Sequence, residues 1–332
     1  MLFPRFRSFF GGETTRLHIW QPPPLCAWAG LALFTAIAAC PLRAQEPKVF
    51  VRPENSLRSR TAAPRANMRL DMTMVLVPVT VTDVHDKPVT DLSLDSFKIF
   101  EDNVEQKIAN VSQEDGPVSV GFIFDASSSM KNRMQASIKA IEQFLKTMIP
   151  GDEFFLVQFN DKPQLVNGFT TIPDDILSGL SFVQPQGWTA LHDAICLGLH
   201  QMKSAKNSRR ALLVLTDGGD NNSRYSELEV QSMVRESDVR VYSIGLFERP
   251  HFLEKLAADS GGHAFWTHKL SDLPQTIDHL SREFRNQYVL AYSSNNARND
   301  GKYRKVRVEL MESIRRIPLN LIWRRGYYAP PD

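Results

Sequence analysis

The sequence predicts an α/β fold: a doubly wound, mostly parallel sheet with helices on both faces, flanked by a small β-rich module. Two observations predict it. From Val118 to Phe284, apolar strand-like runs alternate with helical stripes, the rhythm of a sheet buried on both faces. Before Val118 and after Arg285 the rhythm gives way to short β-branched runs separated by polar turns.

The chain has 332 residues, with 39 Lys+Arg against 37 Asp+Glu and a formal net charge of +2. That length supports more than one core. The charge balance gives no case for a nucleic-acid partner. A hydrophobic share of 42% beside 23% charged residues is that of a globular protein.

The N-terminus differs. Arg5, Arg7 and Arg16 precede an apolar run from Leu25 to Ala39, which reads as a secretory signal over residues 1–44. The run is short for a membrane span. Three processing routes are open: cleavage after Ala44, lipidation of Cys40 in the Ile37-Ala38-Ala39-Cys40 box, or retention as an N-terminal membrane anchor. All three put the body outside the cytoplasm, in the periplasm, the envelope or the medium. Of the 3 cysteines, only Cys196 lies beyond the signal, so a mature body would rely on its core rather than on disulfides.

In chain order, residues 45–68 are polar, with Pro53, Pro64 and several arginines, and read as a disordered spacer. Met72–Val81 favours a strand, and Phe97, Ile99, Phe100 and the run from Gln106 to Val111 add short strands, making a β-rich module over 69–116. The α/β domain spans 117–285. Its strands are expected at Val118–Phe124, Phe154–Phe159, Ala211–Thr216, Val239–Gly245 and His263–Trp266. Its helices are expected at Met130–Ile149, Asp174–Phe182, around Leu191–Met202, Leu228–Val234, Phe252–Ala258 and Leu270–Phe284. Residues 286–332 return to strands at Tyr288–Tyr292, Tyr303–Leu310 and Ile317–Trp323, which are expected to complete the flanking module.

Ligands of an open α/β sheet bind beyond the carboxyl ends of its strands, where strand order reverses. Three loops approach that edge with oxygen ligands: Asp125-Ala126-Ser127-Ser128-Ser129, Gly187-Trp188-Thr189, and Thr216-Asp217-Gly218-Gly219-Asp220. Taken alone, the first loop is also a serine-rich cap for a helix starting at Met130. Together the loops offer two carboxylates and three hydroxyls, a set that suits Mg²⁺, a hard ion that keeps part of its water shell.

The pattern Asp125-x-Ser127-x-Ser129, then Thr189, then Asp217 in LTDG resembles the metal-ion-dependent adhesion site of von Willebrand factor type A domains. GWTALHDAI resembles that family's threonine loop and VYSIGL its next strand, so the resemblance covers about Val118 to Arg285. Trp188 departs from it, since relatives often carry glycine there. The flanks, with PVTVTDVHDKPVTDLSLDSFKIFEDNVEQKI before the domain and a closing RRGYYAP, are similar to bacterial exported VWFA-related proteins of the kind abundant in acidobacteria. The resemblance implies that Asp125, Ser127, Ser129, Thr189 and Asp217 hold Mg²⁺ or Mn²⁺. It further implies a protein partner that offers an acidic side chain to the ion, without catalysis.

Two rival classes remain. A phosphotransferase with an aspartate nucleophile at Asp125 needs a second aspartate two residues on, where Ser127 stands. There is no G-x-S-x-G elbow and no H-E-x-x-H helix among the 8 histidines. His192 and Asp193 read as surface polar residues of a helix's first turn. The other rival is an anionic-polymer binder using Lys302, Arg304, Lys305, Arg307, Arg315, Arg316, Arg324 and Arg325, whose alternation along strands reads first as a solvated sheet face.

Overall fold

The computed structural model describes residues 74–249, 251–311 and 318–331. The signal and spacer expectations, with Arg315, Arg316 and Ile317, lie outside the described residues. The chain opens on β1 (Met74–Thr82), β2 (Phe97–Glu101), β3 (Val104–Gln106) and β4 (Ile108–Glu114). Between β2 and β3, Asp102 and Asn103 both take positive φ, 46° and 69°, in the two-residue turn that tightens a hairpin.

The α/β domain follows: β5 (Val118–Asp125), α1 (Met134–Leu145), β6 (Glu153–Phe159), β7 (Pro163–Thr170), α2 (Pro173–Ser181), α3 (Leu191–Met202), β8 (Arg209–Thr216), α4 (Glu227–Glu236), β9 (Val239–Leu246), α5 (His251–Ser260), β10 (Ala264–Thr267) and α6 (Leu273–Arg285). Its six strands lie in the order β10-β9-β8-β5-β6-β7. All pairings are parallel except that of β7 with β6. The chain leaves β5 for β6 on one side and returns to β8 on the other, so strand order reverses between β5 and β8.

Each central strand is apolar on both faces because helices cover both. Val118, Val120, Phe122 and Phe124 of β5, with Ala211, Leu213 and Leu215 of β8, face a core shared with α1, α2 and α6. Ile123, Leu212 and Val214 face the opposite core, built with α3, α4 and α5. Gly121 stands on that second face, where an added Cβ would lie 2.2 Å from the Phe155 ring. The strand therefore needs glycine there to let Phe155 of β6 lie across it.

After α6 come β11 (Gln287–Ser293), β12 (Tyr303–Leu310), β13 (Asn320–Trp323) and β14 (Gly326–Tyr328). They join the opening strands in two four-stranded sheets, β13-β1-β11-β4 and β14-β12-β2-β3. Their shared core includes Val77, Val79, Val81, Ile99, Leu290, Tyr292, Val306 and Val308. The flanking module is thus built from the strands on both sides of the α/β domain.

Three expectations need correction. β7 was not foreseen, because register shifts at Phe154/Leu156 and Leu156/Val157 break its alternation and it lies at a sheet edge. The helix after β5 does not start at Met130: a 3-10 turn over Ser128–Asn132 comes first, and α1 ends at Leu145. The basic strand β12 does not turn its arginines uniformly outward. Arg304 is buried on the same face as Val306 and Val308 and pairs with Asp300 at 2.9 Å. Arg307 pairs with Glu309, and Arg324 with Asp238.

Candidate metal centre

Asp125 is the last residue of β5 and its side chain is fully buried. Its Oδ1 accepts the Ser127 N–H at 2.8 Å and its Oδ2 accepts the Thr216 hydroxyl at 2.6 Å. Thr216 ends β8, the parallel neighbour of β5, so adjacent strand ends bring the two together. Burial pushes the Asp125 carboxyl above the usual carboxylate range, against the hydrogen bonds from Thr216 and Ser127.

The serine hydroxyls are engaged with one another and with the third loop. Ser127 Oγ and Ser129 Oγ lie 3.0 Å apart, and the Ser129 hydroxyl donates to Asp217 Oδ1 at 2.8 Å. Ser127 heads the 3-10 turn but makes no side-chain cap bond, which corrects the capping reading of this loop. The Arg133 guanidinium contacts the other oxygen of Asp217.

The second loop is held by backbone. The Ser128 N–H donates to Gly187 O at 3.1 Å and the Gln186 N–H to Ala126 O at 2.9 Å. Gly187 takes φ +73°, and a Cβ there would lie 2.6 Å from the Asp161 carboxylate, which accepts the Trp188 N–H at 2.7 Å. Thr189 is buried and tied to the third loop three times. Its N–H donates to Asn221 Oδ1 at 2.8 Å, and its carbonyl accepts the N–H groups of Asn221 and Asn222 at 3.0 and 3.2 Å. The Thr189 hydroxyl makes no hydrogen bond to a described residue. Asp125, Ser127, Ser129 and Asp217 are thus linked side chain to side chain or through one neighbour, and Thr189 is held beside the Asp217 loop through its backbone. The Trp188 indole is 65% exposed.

The donor set is all oxygen: two buried carboxylates and three small hydroxyls. Among the described residues no three of His, Cys, Asp and Glu gather as ligands, so soft or imidazole-rich coordination has no counterpart here. A free hydroxyl and a pair of buried acids fit a hard divalent cation that keeps several waters.

Four supporting residues escaped the sequence reading: Thr216, Arg133, Asp161 and Asn221. Thr216 was legible in principle as the strand-end neighbour of Asp125, and Arg133 as the residue one helical turn from Ser129. His192 is buried rather than at the surface. Its Nδ1 lies 2.9 Å from Tyr225 O and its ring meets Phe252 edge-on at 4.5 Å. Asp193 accepts the N–H groups of Arg224 and Tyr225 at 2.9 and 3.1 Å. Both residues therefore brace the segment that follows the third loop.

The fold and this strand-end cluster define a doubly wound α/β domain with its candidate site at the topological switch point. Residues 120–219 match the family model of the von Willebrand factor type A domain. The human inter-alpha-trypsin inhibitor heavy chain H4 is 28% identical over 193 residues, 53% of this chain and 21% of that protein. Its bovine counterpart is 27% identical over 188 residues, 51% of this chain and 20% of that protein. The chain spans only 20–21% of the length of these curated relatives. Among solved structures, proximal thread matrix protein 1 from the mussel byssus, with a zinc-occupied MIDAS motif, superposes with a TM-score of 0.48 and 20% identity over 55% of this chain and 49% of that one. A von Willebrand factor type A protein from Catenulispora acidiphila gives 0.47 and 11% over 79% and 74%. Residues 120–219 thus carry a von Willebrand factor type A domain.

Proposed function

We propose that this chain is an exported, non-enzymatic binding protein that engages a protein partner through Mg²⁺ or Mn²⁺ held by Asp125, Ser127, Ser129, Thr189 and Asp217. The observation that carries the reading is the meeting of two strand-end loops in one oxygen cluster, cross-linked by the Ser129–Asp217 and Thr216–Asp125 hydrogen bonds, with the Thr189 loop held beside it through its backbone. A bound ion supplies an electrophilic centre for an acidic side chain of the partner. Hydroxyl ligands neutralise little of its charge, which favours attraction of that acid. The Ser127 N–H and the Thr216 hydroxyl hold Asp125 at the strand end, and the Asn221 and Asn222 backbone holds Thr189. Ser127 stands where a phosphotransferase needs its acid–base carboxylate, which supports binding over bond cleavage. Export rests on the basic and apolar N-terminal segment. Among the described residues no helix is long and apolar enough to cross a membrane, and attachment through the N-terminus belongs to the proposal.

Thermal melting in Mg²⁺, Mn²⁺ or chelator tests the ion. The wild type is expected to melt higher with metal and Asp125→Ala to be insensitive to it. An Asp125→Ala variant that keeps the full metal response would sink the assignment. A pull-down from envelope extract, with Mg²⁺ against chelator, then tests for the partner.

A further inference from the structure

Arg133 contacts the cluster without belonging to the ligand set. It stands four residues beyond Ser129, between the 3-10 turn and α1. One guanidinium nitrogen, Nη1, contacts Asp217 Oδ2, and the group lies 4.6 Å over the Phe247 ring. Nε and Nη2 make no hydrogen bond to a described residue. Phe247 takes φ +70°, a conformation rare for a bulky side chain, and its N–H is fixed on Thr267 O at 2.8 Å. The backbone thus holds an aromatic ring where this guanidinium can rest.

The Asp217 side chain is 2% exposed and that of Arg133 is 27% exposed. A buried carboxylate without a compensating charge is strongly disfavoured. We infer that Arg133 is the counter-ion of the metal-free site, released from Asp217 to a partner carboxylate on metal loading. The inference rests on reading the cluster as a cation site. Arg133 repels a divalent ion placed among the same oxygens and competes with it for Asp217. Once Asp217 is shared with an ion, Arg133 keeps its hold on Phe247. Its unpaired fork then points donors toward solvent, in the geometry that takes a carboxylate bidentately. Arg133 therefore weakens binding of the ion alone and strengthens binding of an acidic partner to the loaded site.

The test uses the full chain and the metal alone. Mg²⁺ titration calorimetry and melting in chelator are run on the wild type, Arg133→Lys, Arg133→Ala and Asp125→Ala. Arg133→Ala is expected to melt below the wild type in chelator, to bind Mg²⁺ about tenfold more tightly and to gain more stability from it, since it loses a charge-assisted bond only in the metal-free state. Arg133→Lys keeps the charge but loses the planar fork and falls between, which also serves if Arg133→Ala does not fold. Mg²⁺ affinity unchanged or weakened in both variants overturns the proposal. A wild type that ignores Mg²⁺ ends the cation reading and this proposal with it. A responsive wild type with an equally responsive Arg133→Ala ends this proposal alone.

Discussion

At the scale of single residues, charge placement governs the molecule. A second charged pair is that of His263 and Glu283, with Nδ1 2.7 Å from Oε2. Burial alone would lower the His263 pKa from its usual 6.5, but the hydrogen bond and charge of buried Glu283, with Asp86 adding, hold it raised. A raised histidine pKa contributes stability that is fully present below the unfolded value and lost as pH rises through the folded one. Glu283→Gln is expected to lower the melting temperature at about pH 5 and to cost less, or nothing, at about pH 8.5. Melting curves across pH, with the imidazole followed by NMR, check this; a cost that does not vary with pH refutes it. The residues of the candidate cluster were legible because Asp125-x-Ser127-x-Ser129 follows an apolar run at fixed spacing, and Thr189 and Asp217 sit in other loops at the same sheet edge. Arg133 and Thr216 were legible only as near neighbours of the cluster, because their contacts depend on which strands become neighbours and where a long side chain comes to rest.

At the scale of elements, close approach between strands fixes the sheet that carries the site. Gly121→Ala drives a methyl into Phe155 and Leu212, and is expected to destabilise the chain by about 1–3 kcal/mol, as overpacked cores do. Urea unfolding should show a lower midpoint with an unchanged slope; an unchanged midpoint would mean that Phe155 moves aside freely. The four inner parallel strands, β5, β6, β8 and β9, were legible because burial on both faces makes them largely apolar. β7 was hidden by its register shifts, and the start of α1 by serines that resemble caps while bonding elsewhere. The outward alternation expected for β12 failed at Arg304, because a long side chain can bury its stem and still reach Asp300.

At the scale of the whole molecule, the junction of the α/β domain with the flanking sheets depends on Arg209. Its Nη1 donates to Gly116 O at 2.6 Å, its Nη2 to Phe284 O at 2.9 Å, and its Nε lies 3.2 Å from Glu114. One buried guanidinium thus ties the entry of the domain to its exit. Arg209→Ala strands two carbonyls and leaves Glu114 to Arg240, and is expected to cost about 3–5 kcal/mol. Calorimetry should resolve a single wild-type transition into two in this variant; one sharp transition would assign the coupling to the Gln287–Tyr242 bond instead. That the flanks form one module was legible in their shared β rhythm, whereas the guanidinium clasp was not, since an arginine opening an apolar strand carries no sequence signature.

The pairing of β4 with β11 has a mechanical consequence. The strand leading into the α/β domain and the strand leading out of it are antiparallel neighbours, from Tyr292↔Ile108 to Gln287↔Glu114. Tension that reaches β4 and β11 and draws them apart loads the Tyr292↔Ile108 rung first. It must peel the ladder rung by rung before any of it stretches the domain. The flanking sheets thus act as a strain relief, and the strand-end loops keep their arrangement while the ends of the protein are pulled.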